Sequence, residues 1–130
     1  MRAAVVLMTA AMAAAQTPDG VIEVLRVAAE SLAEQDTQRF FSLFDPEMEA
    51  LPELRRQIAL LVAREGAAST IDIASDTGDE DRREVRLNWL LRVGAGPARR
   101  GEVSCRLARR EGRWKIIALS PVEFFRPSPP

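Results

Sequence analysis

The sequence predicts an α+β domain, with helices at the front packed against one face of an antiparallel sheet of about four strands. Three observations predict it. Apolar residues recur at helical spacing up to Gly66 and at alternate positions beyond it. The alternating segments are separated by short turn-rich stretches that suit antiparallel neighbours. The chain has 130 residues, no internal repeat and no linker, so one core should serve all of it.

The first segment, "MRAAVVLMTAAMAAAQ", reads as a signal peptide over residues 1–15, with an uncleaved N-terminal anchor as the alternative. One charge at Arg2 precedes an uncharged run, which closes on small residues at Ala13 and Ala15. A membrane-spanning helix needs roughly 20 apolar residues, and the polar Gln16-Thr17-Pro18-Asp19 ends this run sooner. The protein is therefore expected in the periplasm or secreted, with no membrane contact once the signal is removed. Residues 16–125 form the single domain, and the proline-rich 126–130 is expected to be a loose tail.

Asp19-Gly20 is positioned to cap a helix running to about Gln35, with Val21, Leu25, Ala28, Ala29 and Leu32 inward. Asp36 reads as the N-cap of a second helix bearing Phe40, Phe41, Leu43 and Phe44. Asp45-Pro46 and Leu51-Pro52 each restart the chain, and a third helix runs to about Glu65. Gly66 would supply a left-handed stop. Then come "STIDIAS", "REVRLNWLLRV", "GEVSCRLARR" and "RWKIIALS", read as four strands. The second is the clearest, with Val85, Leu87, Trp89, Leu91 and Val93 on one face. "DTGDEDRR", "GAGPARRG" and Glu111-Gly112 are the turns. Asp76, Asp79, Glu80 and Asp81 are placed in the first of these, as a solvated turn whose order does not fit a calcium loop.

Composition excludes several chemistries. There is no His, which removes the commonest general base and metal ligand. No metal and no cofactor are expected. Net charge is −1, so no global field favours nucleic acid. The lone Cys105 alternates with Val103 and Leu107 and reads as a buried inert thiol. Arg99, Arg100, Arg109 and Arg110 read as a charged rim, with an anion site as the sharper alternative.

The opening helix ending in "LAEQDTQRFFSLF", the strand "VRLNWLLRV" and the closing "EGRWKIIALSPVEFF" resemble the nuclear-transport-factor-2-like superfamily over Val21 to Phe125. The resemblance implies a curved sheet wrapped around helices as a cone, often with an apolar pocket, and frequently a dimer. It also implies membership of a group holding isomerases, dehydratases, cyclases and many non-enzymes, so fold does not deliver function. Between Phe44 and Leu54 the chain departs from the pattern: "DPEMEALPE" is too short and too helical for the short hairpin often found there.

An isomerase of this fold needs a carboxylate base opposite an oxyanion hole containing Tyr, and the chain has no Tyr. Asp36 is the one candidate base, although a cap is its simpler role. Phe40, Phe44, Leu87, Trp89, Leu107 and Trp114 are the candidates to line a pocket for a small apolar ligand. If Trp114 and Ile116 face the helices, strict alternation turns Ile117 and Leu119 outward. With Leu90 they would form a homodimer face. Two readings stay open. One is an exported non-enzymatic domain that binds a small apolar ligand or acts as an accessory, dimerising module. The other is a small isomerase, lyase or cyclase using Asp36.

Overall fold

A computed structural model describes residues 17–127. The expected signal peptide and the last three residues of the tail lie outside the described residues. The described part is three helices packed on an open four-stranded antiparallel sheet in the order β1-β2-β3-β4.

Helix α1 spans Asp19–Ala33 and buries Val21, Val24, Leu25, Ala28 and Leu32, the spacing of a single apolar stripe. Its N-cap position is Pro18, which has no side chain to cap with, so Asp19 is not the cap expected. Asp19 lies instead in the first turn, where its charge meets the positive end of the helix dipole. Gln35, in the left-handed region at φ 59, turns the chain out of α1. Helix α2, Thr37–Phe41, is one short turn capped by Asp36. The expected second helix therefore stops before Phe44. Leu43–Asp45 instead runs beside the last strand: Asp45 N–H donates to the Ile116 carbonyl at 2.9 Å, and Ile116 N–H to Leu43 at 2.8 Å. Turns, not a hairpin, lead from there into α3, Leu51–Leu61, with Pro52 in its first turn. Gly66 is not a left-handed stop. It is glycine because a Cβ there would come 2.0 Å from the Ala33 carbonyl oxygen, where the chain crosses the end of α1.

The strands are β1 Ala67–Gly78, β2 Arg82–Val93, β3 Arg99–Arg110 and β4 Arg113–Ser120. Val85, Leu87, Trp89 and Leu91 of β2 and Val103, Cys105 and Leu107 of β3 are buried, as alternation requires. Each outer strand breaks that alternation once. Ile73 pairs with Leu87 and Ser75 with Arg86, so Ala74 is an extra residue in β1. Leu107 pairs with Ile116 and Arg106 with Ala118, so Ile117 is an extra residue in β4. A bulge of this kind reverses the facing of everything after it.

The reversal in β4 corrects the reading of Leu119. It sits opposite the buried Cys105, faces the helices and is 4% exposed. Leu119 is core and has no place on an outer face. The reversal in β1 corrects the reading of Asp76, which lies within the strand, opposite Val85, and is buried.

After β4, a 3-10 turn over Val122–Phe125 covers the Trp89 end of the sheet's inner face. Phe125 is fully buried and meets Trp89 edge-on at 5.0 Å between ring centroids. Phe124 lies over Gly101, where a Cβ would come 2.7 Å from its ring, so only glycine leaves room for it. Arg99 ties this turn down by donating to the carbonyls of Phe124 at 2.7 Å and Arg126 at 2.6 Å.

Candidate functional site

The inner face of the sheet is where the pocket candidates lie. Phe40, Phe44, Leu87, Trp89 and Leu107 are all buried within one continuous core. Phe40, Phe41 and Phe44 pack ring against ring at 5.1 to 5.7 Å between centroids. Trp89 satisfies its indole N–H on Ser69 at 3.0 Å and is covered by Phe124 and Phe125. Its polar edge and its faces are thus engaged by the chain itself. Trp114 differs from the rest: it is half-buried at the other end of the sheet, with the Arg109 guanidinium 5.9 Å from its ring.

Asp36 is the candidate base, and its geometry is that of a cap. Its Oδ1 accepts from the Arg39 backbone N–H at 3.0 Å, three residues on. Asp45 is used similarly. It accepts from the Glu47 N–H at 2.9 Å and from Arg110 Nε at 3.2 Å, contacts that hold its carboxyl below the usual range. Asp79 closes the β1–β2 turn by accepting from the N–H groups of Asp81 and Arg82, which also lowers its pKa. Burial pushes the Cys105 thiol up to about 12, which leaves it protonated and unreactive at neutral pH.

The sequence reading missed a buried polar cluster on the inner face. The Asp76 side chain is fully buried, and Arg83, 12% exposed, donates to its Oδ1 through Nε at 2.9 Å. Thr17 donates to the other oxygen at 2.5 Å. Both carboxylate oxygens are occupied, as a buried charge requires. Arg83 also reaches the Asp79 carbonyl at 3.2 Å. No local signal in the sequence marks this cluster, because the extra residue Ala74 is defined only by the pairing with β2. Chemically this is a closed ion pair, and through Thr17 it joins the β1–β2 hairpin to the chain just before the N-cap of α1. It is not an acid poised over a cavity.

The outer face of the sheet is polar, with apolar residues set into it. Leu90 and Ile117 are half-buried there, and Ala118 lies beside Ile117. Leu90 stands opposite Thr70 and Arg100. Around them, cations and anions are interleaved; Arg86, for example, pairs with Glu102 across the strands at 3.0 Å. Of the expected charged rim, Arg99 binds carbonyls, Arg109 covers Trp114 and Arg110 pairs with Asp45.

A cleft of about 560 Å³ opens at the tip of the β3–β4 hairpin, lined by Asp45, Pro46, Arg110, Glu111, Arg113 and Lys115. Lys115 Nζ donates to the Ser42 carbonyl at 2.6 Å. Among the described residues no group of three His, Cys, Asp or Glu side chains is arranged to hold a metal ion. No described helix is long and apolar enough to cross a membrane.

Compared with known proteins, the chain matches no family model. It matches no curated protein either. Solved structures do match. A nuclear-transport-factor-2-like protein of unknown function from Shewanella oneidensis aligns with a TM-score of 0.68 at 11% identity, over 78% of this chain and 94% of that one. A cystatin-like-fold protein of unknown function from Nostoc punctiforme aligns at 0.62 and 13%, over 77% and 85%. A scytalone-dehydratase-like protein from Novosphingobium aromaticivorans aligns at 0.60 and 16%, over 77% and 78%. At such identities the likeness establishes the fold. The chain has the nuclear-transport-factor-2-like, cystatin-like α+β cone.

Proposed function

We propose that this is an exported accessory domain without an active site of its own, which works as a homodimer through the outer face of its sheet. Export rests on the signal-like pattern of residues 1–15. The observation that carries the rest is the contrast between the two sheet faces. The inner face is filled by the chain's own side chains, down to Phe124 and Phe125 over Trp89. The outer face keeps Leu90, Ile117 and Ala118 half-buried among interleaved charges of both signs. A two-fold interface must be self-complementary, and a surface mixing Arg86, Arg92 and Arg106 with Asp72, Glu84 and Glu102 can match a copy of itself.

Against the catalytic alternative stands the use of Asp36 Oδ1 as a helix cap, accepting from the Arg39 backbone N–H. A small apolar ligand is less well supported than a dimer, because most of the side chains expected to line its pocket are closed core.

The test is substitution on the outer face. Leu90→Arg should leave the melting temperature within a few degrees of wild type and convert a dimer to a monomer by light scattering. A wild-type chain that is monomeric at high concentration would overturn the proposal.

A further inference from the structure

The β3–β4 hairpin ends in an arrangement that is short of one negative charge. Its two-residue turn, Glu111-Gly112, has both residues at positive φ, 55 and 80, which is the tight turn suited to the twist of paired strands. Such a turn fixes Arg110 and Arg113 directly opposite one another on the same face of the sheet. Like charges placed so are mutually destabilising. Lys115, two residues beyond Arg113, adds a third cation on that face. Among the described residues only one of the three forms a salt bridge: Arg110 meets Asp45 at 3.2 Å, with the Lys115 charge nearby. Lys115 is spent on a neutral carbonyl, Ser42. Arg113 has no hydrogen-bond or ion-pair partner among the described residues. All three line the same cleft of about 560 Å³, together with Glu111, an exposed acid of the turn, and Pro46.

We infer that this hairpin cleft is an anion site for a phosphate group, carried by a soluble phosphomonoester or by a lipid headgroup. Arg113 supplies a planar fork that two phosphate oxygens can accept from, and Lys115 supplies a point charge beside it. Asp45 keeps Arg110 in position, so that the anion enters between two arginines already held apart by the turn. The strands rather than loops hold these groups, so the site exists before the ligand arrives. The inference is independent of the dimer proposed above, which uses Leu90 and Ile117 and not the turn.

The experiment compares melting temperatures of the mature protein in inorganic phosphate and in chloride at matched ionic strength. Phosphate should raise the wild-type midpoint by about 4 °C when present well above its dissociation constant. Arg113→Gln and Lys115→Gln should each weaken phosphate about tenfold. In chloride Arg113→Gln should be at least as stable as wild type, because the opposed like charge is gone, and this separates loss of binding from loss of folding. Arg100→Gln, on the same sheet but far from the turn, should respond like wild type.

Two further arms identify the source of the phosphate. Sedimentation with phosphatidylglycerol vesicles, but not phosphatidylcholine vesicles, that is lost in Arg113→Gln assigns the group to a lipid. Stabilisation by phosphate without such sedimentation assigns it to a soluble ester. No phosphate-specific shift and no sedimentation, or either one undiminished in Arg113→Gln, would overturn the inference.

Discussion

Strands β2 and β3 alternate without interruption, from Val85 to Leu91 and from Val103 to Leu107. Strands β1 and β4, at the two edges of the same sheet, each carry one extra residue, Ala74 and Ile117. A central strand pairs on both sides, so an extra residue would disrupt two ladders. β1 has one ladder to disturb, and β4 has one ladder plus only the short Leu43–Asp45 segment bonded at Ile116; bulges collect at such edges accordingly. The consequences are chemical as well as geometric. The bulge in β1 turns Asp76 inward and makes a buried ion pair with Arg83 necessary. The bulge in β4 turns Leu119 into the core and leaves Ile117 on the outer face.

The largest expected effect separates two neighbours in β4. Leu119→Arg places a charge without a partner in the core and should cost about 4 kcal/mol or more. Ile117→Arg should change stability by no more than about 0.5 kcal/mol. Urea unfolding midpoints of the two variants measure the difference directly. Equal midpoints would mean that the strand is not bulged at Ile117.

Next in size is the edge of β1. Asp76→Ala leaves Arg83 largely buried and uncompensated, and should cost about 3–5 kcal/mol. Adding Arg83→Met to it should recover much of that loss, since removing both charges also removes the unpaired one. A double variant as unstable as the single would show that the pair is not the source of the cost.

The smallest effect belongs to the central strands and tests that they are dry. Cys105 should be unmodified by a thiol reagent at pH 8 while the protein is folded, and fully modified in denaturant. The folded thiol titrates at about 12, above its ordinary 9.0. The folded state is thus favoured by a neutral thiol. That contribution is complete below pH 9.0 and declines as the pH rises towards about 12. Fast modification of the folded protein would place Cys105 at an open surface.

Much of this architecture could be read from the sequence, because the residues that define it are local signals. Asp36 as a cap, the period change after Gly66 and the alternation of "REVRLNWLLRV" all report on immediate neighbours. What could not be read depends on partners distant in the chain. A bulge is defined by the strand opposite, so the facing of Asp76 and Leu119 was beyond any reading of β1 or β4 alone. The role of Gly66 was likewise hidden, since the Ala33 carbonyl that demands glycine is remote in sequence. The bridge from Phe44 to Ile116, which ends α2 early, has the same character. Of the candidate site, the residue types were visible and their facing was not. That is why the proposed dimer face loses Leu119 and the polar cluster around Asp76 was not anticipated.

Native mass spectrometry of the purified mature chain tests the central claim most directly, because it reports subunit count and bound mass together. A closed inner face and a working outer face predict a dimer whose mass is twice that of the polypeptide, with no apolar small molecule retained. A monomer carrying such a molecule would contradict both halves of the proposal.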